Sequence, residues 1–143
     1  MTAKRVEALR IARQWIGTPY LHQASVQGVG TDCLGLLRGV WRALYGAEPE
    51  PVPPYTRDWS EPSGEERLWE AALRHLQPAS GPILPGRVIL FRMRDGAVAK
   101  HLGISADRDG MASFVHAFTG HGVLESPLSA PWQRRVVAQF DFP

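Results

Sequence analysis

The 143 residues include one cysteine, Cys33. That count excludes an internal disulfide and a zinc site built from several thiolates. No apolar run approaches the ~20 residues of a membrane-spanning helix, so no membrane insertion is expected. The opening residues, MTAKRVEALRIARQW, carry basic charge but neither an unbroken apolar core nor a small-residue cleavage site, so no secretory signal is read there. The expectation is a chain made in the cytoplasm that reaches any outside target by another route. Nothing repeats and no shift in composition marks a boundary, so a single domain over 1–143 is expected. Walker-type glycine loops, His-Glu-x-x-His and Gly-x-Ser-x-Gly are also absent.

The net charge is +2 and the pI near 9.0. The densest basic groups are Lys4, Arg5, Arg10 and Arg13, then Arg92 and Arg94. Scattered in this way they read as solvated faces and not as a nucleic-acid footprint. A weak attraction to an anionic polymer such as a cell wall stays open.

Apolar spacing at Ala8, Ile11, Ala12, Trp15 and Ile16 predicts an amphipathic first helix, stopped by Gly17 and Pro19. TPYLHQASVQGVGT then reads as irregular loop. A second helix is expected from Cys33 to Tyr45, capped by Thr31 or Asp32 at its start and by Gly46 at its end. Its expected buried stripe is Leu37, Val40, Trp41 and Leu44, with Cys33 on the same face. Gly35 and Gly39 cost roughly 1 kcal/mol each in a helix, so another backbone should pack close on that side. A proline-rich stretch, 47–62, precedes a third helix with a Ser63/Glu66 capping box and a stripe of Trp69, Ala72, Leu73 and Leu76. QPASGPILPG reads as a connector. RVILFRM, VAKHLGISA, MASFVHAFT, HGVLES and RRVVAQFDF follow as strands. Helices first and an antiparallel sheet afterwards make an α+β pattern.

At a helix N-terminus Cys33 meets free backbone donors, which can lower a thiol from ~8.5 to between ~3.5 and ~7.5. A small core residue is the competing reading. A nucleophile also needs a base, and five histidines are available: His22, His75, His101, His116 and His121. His75 reads as a surface residue on the third helix; His22 and His121 have no partner that the sequence places. His101 and His116 fall in consecutive predicted strands. Closing that hairpin with 107–110 sets Ala106 opposite Met111 and makes the two histidines direct cross-strand neighbours. Cys33 as nucleophile, His101 as general base and acid and His116 as orienting group would then form a Cys-His-His triad. That scheme requires a bond between Cys33 and His101. A metal held by the two histidines and an acid has no familiar ligand spacing behind it, so no metal is expected.

WIGTPY, GVGTDCLGLL, HLGI and FVHA together resemble the NlpC-type cell-wall cysteine peptidases. The resemblance implies a papain-like α+β fold, N-terminal helices packed on a C-terminal antiparallel β-sheet. It assigns catalysis to Cys33, His101 and His116, and implies cleavage of peptidoglycan stem peptides at D-glutamyl–diamino acid bonds without a cofactor. It further implies that Tyr20 places substrate or stabilises the oxyanion, and that Asp32 binds the free amine of the stem peptide besides capping the helix. The proline-rich insert with PPYTRDW looks most like the branch carried on phage and gene-transfer-agent tails. Its expected partners are tail-tip or baseplate proteins, and its place of action the host wall in the periplasm. Two positions depart from the pattern: Leu34 stands where members carry serine, and Gly86-Arg87 where Gly-Asp is usual. A wall-binding tail module without turnover and an acyl transferase with the same triad are the competing functions. Residues 49–62 are a candidate lid.

Overall fold

The computed structural model describes residues 2–55 and 64–143. Helix α1 spans Ala3–Gln14, with the Thr2 hydroxyl accepting from the Arg5 amide at 3.2 Å. Ala8, Ile11, Ala12 and Trp15 are buried as their spacing predicts. Ile16 is not: the helix has ended, Gly17 turns the chain at φ 94°, and Ile16 is 42% exposed. The loop expected to be irregular holds a two-residue ladder, β1 (Ser25–Val26) against β2 (Gly30–Thr31).

Helix α2 runs Cys33–Tyr45, the span read from the sequence, and Gly46 closes it at φ 90° with its amide on the Arg42 carbonyl. The buried line is rotated from the expected stripe. Leu36 and Val40 are fully buried, whereas Leu37, Trp41 and Leu44 are partly so. The two glycines lie on this deeper side. A Cβ on Gly35 would sit 1.9 Å from the Ala24 carbonyl oxygen, and one on Gly39 only 2.1 Å from the Trp15 ring. So the neighbour is a backbone at Gly35 but an indole at Gly39.

Helix α3 covers Arg67–His75. Leu68 and Leu76 are buried, Trp69 and Ala72 partly, and Leu73 is 54% exposed, against expectation. Ser63 of the expected capping box lies outside the described residues. Glu66 makes no side-chain cap bond; its carboxylate accepts from the Ala99 amide at 3.2 Å and ties α3 to the sheet.

The sheet comprises β3 (Gln77–Ala79), β4 (Val88–Arg92), β5 (Ala99–Arg108), β6 (Met111–Phe118), β7 (Gly122–Pro127) and β8 (Val136–Asp141). A short helix, α4 (Ala130–Gln133), precedes β8. All pairings are antiparallel in the order β3-β8-β4-β5-β6-β7. The expected connector therefore supplies an edge strand, the place where Pro78 is tolerated. Arg87 stands at the entry to β4 and donates to Asp141 at 3.0 Å and Gln139 at 2.9 Å on β8. That is a physical role for arginine where the resembled family has aspartate.

The two faces differ. Val88, Leu90, Leu102, Ile104, Val115 and Ala117 pack with α1 and α2. Ile89, Phe91 and Phe114 face the other way, under Leu128 and Trp132. At Phe91–Arg92 the β4/β5 register shifts, Phe91 pairing with His101 and Arg92 with Ala99. Lys100 is the extra residue, a β-bulge of the kind that re-aims nearby groups.

Candidate active site

The β5–β6 turn is tighter than expected. Arg108 faces Met111 across Asp109 (φ 55°) and Gly110 (φ 83°), two left-handed residues as in a type I′ hairpin. The register therefore moves by two residues, and His101 and His116 are diagonal neighbours instead of direct ones. An even shift keeps both side chains on one face. Gly103 makes the diagonal workable, since a Cβ there would lie 3.1 Å from that of His116. Across this space His101 Nε2 and His116 Nδ1 approach to 2.8 Å. On its far side His116 Nε2 meets the Ser126 hydroxyl, also at 2.8 Å. Trp132 covers the pair, its ring 5.7 Å from that of His101 and 5.3 Å from that of His116.

Both imidazoles are held neutral. Burial, then His116 and Arg135, push His101 down to about 3. Burial, then His121, push His116 down to about 4.

Cys33 comes from the helix side. Asp32 is the N-cap, Oδ1 accepting from the Gly35 amide at 2.7 Å, whereas the Thr31 hydroxyl turns to the Asp32 carbonyl. The thiol donates to the carbonyl of the bulged Lys100 at 3.6 Å. The expected bond from Cys33 to His101 is not made: the sulfur bonds to the Lys100 carbonyl on the backbone of β5, and the imidazole to His116. The expected lowering of the thiol is also reversed. Burial and then the Asp32 carboxylate push it up to about 12, against the Leu102, Leu34 and Cys33 amides that favour the anion. Desolvation outweighs the helix-end donors here.

Asp32 is 2% exposed and its carboxylate is fully engaged. Besides capping α2, its Oδ2 accepts from the Gln23 amide at 2.7 Å and from the Tyr55 hydroxyl. The Tyr55 carbonyl in turn accepts from His22 Nε2 at 2.8 Å, which gives His22 a partner that the sequence does not show. Tyr20 pairs with Thr31 by a backbone bridge, two residues before Cys33. His75 pairs with Glu50, and His121 stacks on Phe118; neither hydrogen-bonds to Cys33, His101 or His116.

Ser126, Trp132 and Tyr55 are missed by sequence reasoning. Only Ser126 has a usable signal, because β7 brings it opposite Phe114, one diagonal step from His116. Among the described residues no group of three or more His, Cys, Asp or Glu side chains could hold a metal ion. No helix among them is long and apolar enough to cross a membrane.

No protein-family model matches the sequence, and no curated protein does either. Solved structures match in fold. An NlpC/P60 family protein from Bacillus cereus superposes with a TM-score of 0.66 at 17% identity, over 99% of this chain. The NlpC/p60 domain of peptidoglycan hydrolase SagA gives 0.61 at 17% identity over 96%. Ly7917 with the hydrolyzing product of MDP gives 0.60 at 20% over 97%. This chain spans 98% of the SagA domain but only 41% of the Bacillus protein and 62% of Ly7917. The α+β fold is thus that of the papain-like NlpC/P60 structures.

Proposed function

We propose that the chain is a cysteine hydrolase acting on peptidoglycan stem peptides. The observation behind this is the Cys33 thiol at the open end of α2, held against Lys100 and Leu102 on either side of His101, whose Nε2 is joined to His116 at 2.8 Å. Two of the similar structures are named for peptidoglycan hydrolysis or a hydrolysis product. With Nε2 occupied, catalysis requires the Cys33 thiol to leave the Lys100 carbonyl and reach Nδ1 of His101, which then takes its proton as sulfur attacks the substrate carbonyl. The imidazolium is held by His116 and returns the proton to the leaving amine; water then releases the acyl group from sulfur. The Cys33 amide, at the free end of α2, serves the oxyanion. Tyr20, bridged to Thr31, and Asp32, directly before Cys33, are assigned to substrate.

Cleavage at D-glutamyl–diamino acid bonds and carriage on a phage or gene-transfer-agent tail tip complete the proposal. The high thiol and Leu34 favour one competing reading, a wall-binding tail module that kept the fold without turnover. A digest of purified Gram-negative peptidoglycan, read by mass spectrometry for wild type and Cys33→Ser, separates them. New stem-peptide fragments from wild type alone establish the hydrolase and name its bond. Binding of sacculi by both proteins, with no fragments from either, establishes the module.

A further inference from the structure

The histidine pair shares one proton across 2.8 Å, and its position decides whether His101 can act as a base. If it sits on His101 Nε2, Nδ1 is bare and can take a proton. If it sits on His116 Nδ1, His101 carries its proton on Nδ1 and has no bare nitrogen with which to accept another. The only other described hydrogen-bond partner of the His116 ring is the Ser126 hydroxyl, at 2.8 Å from Nε2. We infer that Ser126 is a positioning residue: its oxygen accepts from His116 Nε2–H and so keeps Nδ1 of His101 bare. This rests on the cysteine-hydrolase reading, which needs that base.

A hydroxyl can donate or accept, and two observations favour acceptance. Ser126 is half-buried, so its own proton can turn toward water, whereas His116 is 1% exposed and must place its N–H inside the protein. The chain His101 Nε2–H to His116 Nδ1, then His116 Nε2–H to Ser126 Oγ, also serves the imidazolium without moving any further proton. In the opposite arrangement Nδ1 of His101 already carries its proton, so both imidazoles would have to change tautomer before His101 could accept one. The one side-chain hydrogen bond of Ser126 among the described residues is to His116, and that of the thiol is to Lys100, so Ser126 acts through His116.

Long-range ¹H–¹⁵N spectra of histidine-labelled protein read the tautomers directly, with or without turnover. Wild type is expected to show His101 and His116 both protonated at Nε2. Ser126→Ala is expected to move both toward Nδ1–H and to lower kcat on stem peptides about tenfold or more with KM unchanged. A wrong tautomer in a serine triad costs up to ~10⁴-fold, which sets the upper limit. Ser126→Thr, which keeps the oxygen, is expected to restore both readings. Nδ1–H on His116 in wild type overturns the inference, as do unchanged tautomers in Ser126→Ala beside a lowered kcat. Should Ser126→Ala fail to fold, the wild-type and Ser126→Thr spectra still decide it. Should wild type fail to hydrolyse peptidoglycan while the tautomers respond as described, the hydrolase reading falls and the role of Ser126 stands.

Discussion

The Tyr55 hydroxyl donates to Asp32, the residue directly before Cys33. The described residues leading to it, 48–55, are tied to two helices. Glu48 is held by Arg38 at 2.6 Å and Arg42 at 3.1 Å on α2, and Glu50 by Arg74 at 2.8 Å near the end of α3. Residues 48–55 thus run back along α2 to the residue before Cys33. If Asp32 takes the substrate ammonium, that cation must replace the phenol. Tyr55→Phe is then expected to lower KM several-fold for a stem peptide with a free amine, and to leave its N-acetylated form unchanged. A hydrogen bond to a charged group contributes ~1.5–3 kcal/mol, which caps the effect near a hundredfold. Equal responses from the two peptides would show that the phenol does not occupy the cation's position.

Gly39 and Gly35 permit a close fit that alanine would break. Alanine gains roughly 1 kcal/mol of helix propensity, but overpacking a rigid neighbour costs ~1–3 kcal/mol or more. With a Cβ 2.1 Å from the Trp15 ring, the clash wins in Gly39→Ala. A net loss of about 1–2 kcal/mol is expected in urea unfolding. Gly35→Ala pushes against the Ala24 carbonyl and also moves the amide that caps onto Asp32, so it should lose activity as well as stability. A stabilised Gly39→Ala would mean that α2 and α1 do not pack as described.

Local signals carry over well into the structure, and relations between distant segments do not. The span of α2, the backbone packed close on Gly35 and the common face of His101 and His116 all rest on spacing within one or two elements. The hairpin register rests on the turn, where Asp109-Gly110 is itself the stronger short-turn signal and 107–110 the weaker choice. Helix-end donors at Cys33 are local and legible in the sequence, whereas the desolvation that raises the thiol comes from segments distant in the chain. Tyr55 on Asp32 and Trp132 over the histidines depend on loops whose paths no periodicity encodes.

Both buried imidazoles titrate well below their ordinary value of 6.5, at about 3 and about 4. Between those limits the unfolded chain binds protons that the folded one refuses, so stability falls as pH falls. The contribution is fully present above about 6.5 and is lost progressively toward 4 and 3. Urea midpoints taken from pH 7.5 to 4 should decline in wild type, with a shallower slope in His101→Gln, which removes one of the two groups. Equal slopes would show that His101 is protonated in the folded protein over that range.

With the thiol pushed up to about 12 and the His101 imidazole pushed down to about 3, both groups are neutral at rest. Alkylation of Cys33 by iodoacetamide should then rise steadily with pH and show no plateau between pH 5 and 7, the mark of a thiolate–imidazolium pair. The thiolate fraction at pH 7 is smaller than that of free cysteine by roughly three orders of magnitude, but a more basic thiolate is the better nucleophile. The balance is a rate about a hundredfold below free cysteine, abolished in Cys33→Ser. Turnover from such a state has to move the proton to His101 as sulfur attacks. A product-forming enzyme with slow, plateau-free alkylation would support that concerted step. Fast alkylation with a neutral-pH plateau would instead place the proton on His101 before substrate arrives.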